Sequence, residues 1–188
     1  MKYMFASDIH GSAYYCRKLL EAYEASGAER LILLGDLLYH GPRNDLPKEY
    51  APKEVISMLN GVKQQLFAVR GNCEAEVDQM VLEFPVMADY AVFVLNGLTF
   101  FATHGHVFNQ DQMPPLKAGD ILIHGHTHIL KAEKAGEHYI LNPGSVSIPK
   151  GGNPATYAVL EEHQFRIMDF DGNVVKEVSL DGASISRA

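Results

Sequence analysis

The chain has 188 residues, of which 47% are hydrophobic and 21% charged, with a formal net charge of −7. This suits one soluble globular domain over residues 1–188 with a substantial core, and argues against a surface for non-specific nucleic-acid or anionic-membrane binding. Cys16 and Cys73 are the two cysteines, too few for a disulfide framework or a thiolate zinc site.

In chain order, residues 2–7 read as a short buried strand that ends at Asp8-Ile9-His10-Gly11. Its apolar run is too short for a signal-peptide core, and no later run approaches the ~20 residues of a membrane span, so a soluble, cytoplasmic protein is expected. Ser12 can cap a helix over 13–26 that Gly27 closes. Leu31-Ile32-Leu33-Leu34 is a continuous aliphatic run, the pattern of a strand buried on both faces, and it delivers Gly35-Asp36. Residues 37–52 contain Pro42, Pro47 and Pro52 and read as a functional or disordered loop. A helix over 52–60, a strand over 65–69 and a short helix over 75–83 follow, with Arg70-Gly71-Asn72-Cys73-Glu74 after the strand. This strand–helix alternation implies a parallel sheet whose ligands gather at the strands' C-terminal ends.

The second half changes character. Tyr90–Leu95 and Leu98–Thr103 flank Asn96-Gly97, a hairpin signal, and lead to His104-Gly105-His106. Strand-like segments follow at 120–128, 131–135, 138–141, 156–161, 164–169 and 174–179, with turns at Gly136 and Asp171-Gly172. They predict a second, mostly antiparallel sheet packed on the first. Residues 182–188 are expected to fray.

Residues 121–128 read Ile-Leu-Ile-His-Gly-His-Thr-His. In an extended strand alternate side chains lie about 6.6–6.8 Å apart on one face. Two imidazoles at that spacing fit one metal poorly, but each can hold one of two metals about 3.5–4 Å apart. The plainer alternative is a histidine-rich exposed turn. Against it stand four other strand ends with matching ligands, so that Asp8, His10, Asp36, Asn72, His104, His126 and His128 form one candidate set. Nitrogen and oxygen ligands without thiolate suit manganese, iron or zinc, with nickel a further candidate. Asp36, central in the order, can bridge two ions with its two oxygens.

This ordered set resembles the calcineurin-like metallophosphoesterases: D-x-H, G-D, G-N-H-[DE], H-G and G-H-x-H. The run Asn142-Pro143-Gly144-Ser145-Val146-Ser147-Ile148-Pro149-Lys150-Gly151-Gly152-Asn153-Pro154, with His40-Gly41-Pro42-Arg43-Asn44, is similar to the small bacterial YfcE-type phosphodiesterases. The resemblance implies an α/β fold, a four-layer αββα sandwich with two mixed β-sheets flanked by helices. It implies two divalent ions, manganese first among them, the one held by Asp8, His10, Asp36 and His128 and the other by Asp36, Asn72, His104 and His126. A hydroxide bridging them would attack phosphorus of a small-molecule phosphate diester in line with the leaving oxygen, with Asp36, Asn72 and His104 at the catalytic centre. A phosphomonoesterase on a small metabolite or nucleotide is the alternative enzyme. A non-catalytic scaffold, as in the retromer subunit of this fold, is the third reading, and retention of all seven ligand positions argues against it.

The sequence departs from the pattern at Cys73, where the family has the histidine taken to orient or protonate the leaving group. A thiol, with an ordinary pKa of about 8.5 against about 6.5 for imidazole, is a weak donor; the equal alternative is a small buried hydrophobe. Arg43 and His40 are candidate substrate contacts, Arg43 as a fork on phosphate oxygens, although solvated surface residues are the commoner case. His106 and His124 flank the ligands, either supporting them or solvated. His138 and His163 read as incidental. Homo-oligomerisation stays open.

Overall fold

The short aliphatic runs at 2–6, 30–33 and 66–68 are flanked by turn residues and become neighbouring strands. In the computed structural model, which describes residues 1–183, Lys2–Ala6 (β1), Arg30–Leu33 (β2) and Leu66–Ala68 (β3) pair in parallel in the order β1-β2-β3. Leu31, Ile32 and Leu33 are all fully buried, because β2 is covered on both faces. The connection from β1 is helix Ala13–Ser26 (α1), whose first turn is capped by the Ser12 hydroxyl accepting from Tyr15 N and whose end is closed by Gly27 at φ 65°. Helix Pro52–Gly61 (α2), with Pro52 where no N–H is needed, and helix Glu76–Val81 (α3) follow β2 and β3.

The second sheet contains Tyr90–Leu95 (β4), Leu98–Thr103 (β5), Ile121–Ile123 (β6), Lys131–Ala135 (β7) and His138–Asn142 (β8), in the order β4-β5-β6-β8-β7. The mostly antiparallel sheet expected is instead mixed: β5, β6 and β8 run parallel, and β4 and β7 close its edges antiparallel. Thr156–Glu161 (β9), Gln164–Asp169 (β10) and Val174–Ser179 (β11) do not join it. They extend the first sheet to β11-β10-β9-β1-β2-β3, with Phe5 opposite Ala158. Turn signals name which strands are consecutive; they do not say which free sheet edge receives a returning hairpin.

Alternation of side chains across β1 and β2 divides the core. Phe5 and Ile32 face inward to Phe100, Ile123 and Leu141 of the second sheet, with the Phe5 and Phe100 rings stacked at 5.7 Å. Met4, Leu31 and Leu33 face outward to Cys16, Leu19, Val55 and Leu59 of α1 and α2. The outer face of the second sheet, Phe101, Leu122 and Ile140, is covered by Phe108 and Leu116 from irregular chain rather than by a helix. Ala183 is buried and its N–H donates to Leu180 O at 2.9 Å, so fraying does not begin at Gly182. The rest of that expectation lies outside the described residues. Among the described residues no helix is long and apolar enough to cross a membrane.

This topology positions the site. Six strands are parallel within their sheets, β1, β2 and β3 in the first and β5, β6 and β8 in the second. The candidate residues all follow the C-terminal ends of β1, β2, β3, β5 and β6.

Candidate metal centre

The backbone at these strand ends is bent by residues that seldom accept such bending. Asp8, His10, Asp36, His126 and His128 have φ of 60, 49, 56, 64 and 59°, the left-handed region that side chains other than glycine rarely adopt. His126 and His128 are therefore not on a strand. β6 ends at Ile123, and the separation of the two rings comes from a turn rather than from strand alternation. The apolar run stops there, Gly125 N donates to His104 O at 2.8 Å, and His126 N donates to Asp8 Oδ2 at 3.1 Å. The loops after β1 and β2 interlock in the same way, with Asp8 N donating to Gly35 O (3.1 Å) and His10 N to Asp36 O (2.9 Å).

Ring orientation follows from the backbone. Nδ1 of His10, His104 and His128 lies 2.7, 2.6 and 2.6 Å from the carbonyl oxygens of Tyr39, Leu34 and Ile148. A carbonyl oxygen only accepts, so each Nδ1 carries the hydrogen and each ring turns Nε2 to the centre, where it offers a lone pair when the ring is neutral. Nε2 of His10 is 3.2 Å from Nε2 of His128, and Nε2 of His104 is 3.1 Å from Oδ1 of Asn72. At these distances each pair needs either a shared hydrogen or a metal cation between its atoms. Oδ1 of Asp8 is buried without an aligned hydrogen-bond donor, although His128 Nε2 lies 3.1 Å away and His10 Nε2 3.5 Å away. Oδ2 of Asp36 stands 3.4 Å from His104 Nε2 and 3.7 Å from His10 Nε2, between the two groups, while its Oδ1 accepts from Cys73 N at 2.9 Å. Ligand-type atoms of Asp8, His10 and His128, and of Asp8, Asp36 and His104, lie within 4.8 Å of one another in each set. These residues fit metal ions.

The electrostatics report the same electron-rich spot. Burial alone would raise the Asp8 carboxyl, but His10 and His128 outweigh it and hold it well below the carboxylate range. Asp36 is lowered likewise, its burial outweighed by His104. Burial would lower His104, yet Asp36 and Asp8 carry it up to about 9; His10 is raised by Asp8 in the same way. His126 is pushed down to about 4, by burial and then by the charge of His104, which leaves its ring neutral and available as a ligand. Its ring centre is 5.1 Å from that of His104. Asn72 is exposed and donates from Nδ2 to Cys73 Sγ at 3.3 Å. Burial and the Asp36 carboxylate push the Cys73 thiol up.

Sequence reasoning left Glu74 without a role. It is 4% exposed, and its carboxylate accepts from Asp36 N (2.8 Å), Leu37 N (2.7 Å) and Gly71 N, pinning the turn that aims Asp36. Burial and Asp36 raise its pKa, and the three N–H donors oppose them. A Cβ on Gly71 would collide with Oδ1 and N of Asp36, so only glycine lets this loop approach. Ser145 and Ser147 were also unassigned; both hydroxyls donate to Asp8 O, at 3.0 and 3.1 Å. Their signal was the 142–154 run, which could be quoted but not placed.

A cavity of about 400 Å3 opens over these atoms and is lined by Arg43, Asn44, Cys73 and Lys150 as well as by candidate ligands. Arg43 is thus brought to the site, and Lys150 is a second cation that the sequence reading did not single out. His40 is not in that wall: its ring packs between those of Tyr39 and Tyr50, at 4.8 and 5.2 Å. His106 and His124 line an adjoining cavity. His163 pairs with Asp181 at 3.1 Å.

The family model for the calcineurin-like phosphoesterase superfamily domain matches residues 1–164. The chain belongs to this superfamily. Within it, the chain is 48% identical over 181 residues to the phosphodiesterase YfcE of Escherichia coli (strain K12), covering 96% of this chain and 98% of that protein. The solved structure of YfcE superposes with a TM-score of 0.94, over 96% of this chain and 100% of that one. The phosphodiesterase MJ0936 of Methanocaldococcus jannaschii is 26% identical over 152 residues, 77% of this chain and 83% of that protein. Vps29 of Entamoeba histolytica, solved in complex with zinc, shares the fold at TM-score 0.60 and 22% identity, over 96% of this chain and 100% of that one. Membership accounts for the two mixed sheets with few helices.

Proposed function

We propose that this chain is a metal-dependent phosphodiesterase that hydrolyses a P–O bond in a small-molecule phosphate diester in the cytoplasm. Asp8, His10, Asp36 and His128 would hold one divalent ion, and Asp36, Asn72, His104 and His126 the other, manganese being the first candidate. Asp36 would serve both ions, although not with its two oxygens alike as expected, since Oδ1 accepts from Cys73 N and Oδ2 faces both groups. The observation that carries the reading is the convergence of ligand-type atoms, His10 Nε2 with His128 Nε2 at 3.2 Å and His104 Nε2 with Asn72 Oδ1 at 3.1 Å, beside Asp8 Oδ1, which is buried without an aligned donor. The similarity to YfcE supports a diester as substrate.

When bound, such ions lower the pKa of water and neutralise phosphoryl oxygens. The protein's own part is to orient and to bind. Carbonyls of Tyr39, Leu34 and Ile148 fix three imidazole tautomers, as outer-shell partners of metal ligands commonly do. Arg43 and Lys150 supply positive charge along the cavity for the phosphate, Arg43 with a fork of donors. His40, packed between two tyrosines, acts through the loop rather than by touching substrate.

The test is elemental analysis of purified protein, followed by rates on bis-p-nitrophenyl phosphate and p-nitrophenyl phosphate with manganese, iron, zinc or nickel added. Bound metal and a faster diester reaction are expected. Protein that binds no metal, or that turns over the monoester alone, overturns the reading.

A further inference from the structure

A second cavity of about 440 Å3 adjoins the metal-facing one, and His126 and Thr127 stand in the walls of both. The two differ in chemistry. Arg43 and Lys150 make the first cationic. The second has the carboxylate of Asp111, the imidazole of His106 and the apolar side chain of Ile129, which is 48% exposed. Its one cation, Lys131, is already engaged by Glu133 at 3.4 Å and by the Gln110 side chain. His106 is half-buried in this wall, with Nδ1 on its buried side.

A diester carries two ester groups on one phosphorus, so a site that grips its phosphoryl oxygens needs room on two sides. We propose that the cavity lined by His106, Asp111 and Ile129 is the subsite for one of them, an uncharged hydroxyl-bearing group such as a polyol or sugar; this rests on the phosphodiesterase reading above. Hydroxyls there find Asp111 as acceptor beside the His106 ring, and the carbon skeleton covers Ile129. Asp111 disfavours an anionic group, which the Arg43 and Lys150 side suits better.

The test compares kcat/KM of the manganese-loaded protein and of Ile129→Trp on two esters with one leaving group, methyl p-nitrophenyl phosphate and thymidine 5′-(p-nitrophenyl phosphate). Filling the cavity is expected to cost the thymidine ester about tenfold, mainly in KM, and the methyl ester less than about twofold. Equal loss on both esters, or none on either, overturns the subsite. If the melting temperature shows that Ile129→Trp does not fold, Asp111→Ala on the exposed rim is expected to lower the thymidine ester selectively, and unchanged selectivity overturns the subsite. A readout free of turnover is NMR: thymidine should shift the ring resonances of His106 and not those of His163, and an unmoved His106 counts against the proposal. If the unaltered protein turns over neither ester, the diesterase reading itself is overturned; turnover without the selectivity change overturns the subsite alone.

Discussion

Nε2 of His10 stands 3.2 Å from Nε2 of His128 while the Nδ1 atoms of both rings are tied to backbone carbonyls, of Tyr39 and Ile148. Neither ring can turn away without giving up its hydrogen bond to the backbone, so the protein holds two Nε2 atoms against each other by construction. A shared proton or a metal cation must lie between them, and a metal that occupies the place stabilises the folded state. Removing metal should therefore end activity and lower the melting temperature. A ligand at a hundred times its Kd contributes about 2.7 kcal/mol per site, and about 1 kcal/mol moves the midpoint of a domain this size by roughly 2–4 °C. Calorimetry before and after exhaustive chelation should show a fall of about 5 °C or more. Full activity in protein shown metal-free by elemental analysis would remove the dinuclear mechanism.

Asp36 Oδ2 lies between the two groups, 3.7 Å from His10 and 3.4 Å from His104. Asp36→Asn should weaken both metals and lower kcat on the order of 10²-fold or more. His163→Ala, whose ring pairs with Asp181, should leave the rate nearly unchanged. Metal content and kcat measured together check this; near-normal values of both for Asp36→Asn would refute the bridge.

Glu74 gathers three backbone N–H groups in a buried place, and truncating it leaves them without an acceptor. Glu74→Ala should destabilise by about 2–4 kcal/mol and loosen metal binding, because the turn bearing Asp36 loses its tie. Glu74→Gln keeps one acceptor oxygen and should cost less. Urea midpoints of the two variants decide it: equal stability of Glu74→Ala and the unaltered protein would show that the N–H groups find other partners.

Which parts of this were legible beforehand depended on the kind of signal. Aliphatic runs such as 31–34 and the Asn96-Gly97 turn are local, and β2, α1 and the β4–β5 hairpin lie where those signals place them. The return of β9 beside β1 is non-local, and alternation along β9 is the same whichever sheet receives it. The candidate ligands were also local signals, but their geometry was not. His126 and His128 looked like strand neighbours because spacing alone cannot show that both sit at positive φ. Glu74 falls on the last position of the G-N-H-[DE] pattern, but a pattern does not show which backbone donors a carboxylate gathers.

Cys73 permits the sharpest test. It lines the cavity over the candidate ligands, its Sγ accepts from Asn72 Nδ2 at 3.3 Å, and its thiol is pushed up by burial and by the Asp36 carboxylate. A thiol so placed keeps its proton and gives it up reluctantly. The enzyme should then depend steeply on how good the leaving group is: nitrophenolate departs without a proton, whereas a sugar or alkyl alkoxide needs one. General acid catalysis contributes about 10²–10⁴-fold, so the deficit should be confined to basic leaving groups. Cys73→His supplies a donor with an ordinary pKa of about 6.5 at the same wall. It should raise kcat/KM on alkyl and nucleotide-like diesters far more than on activated aryl diesters. The measurement is kcat/KM for both proteins across a series of leaving-group pKa values. A flatter slope for the histidine form places position 73 beside the departing oxygen, and parallel lines would exclude it from proton transfer.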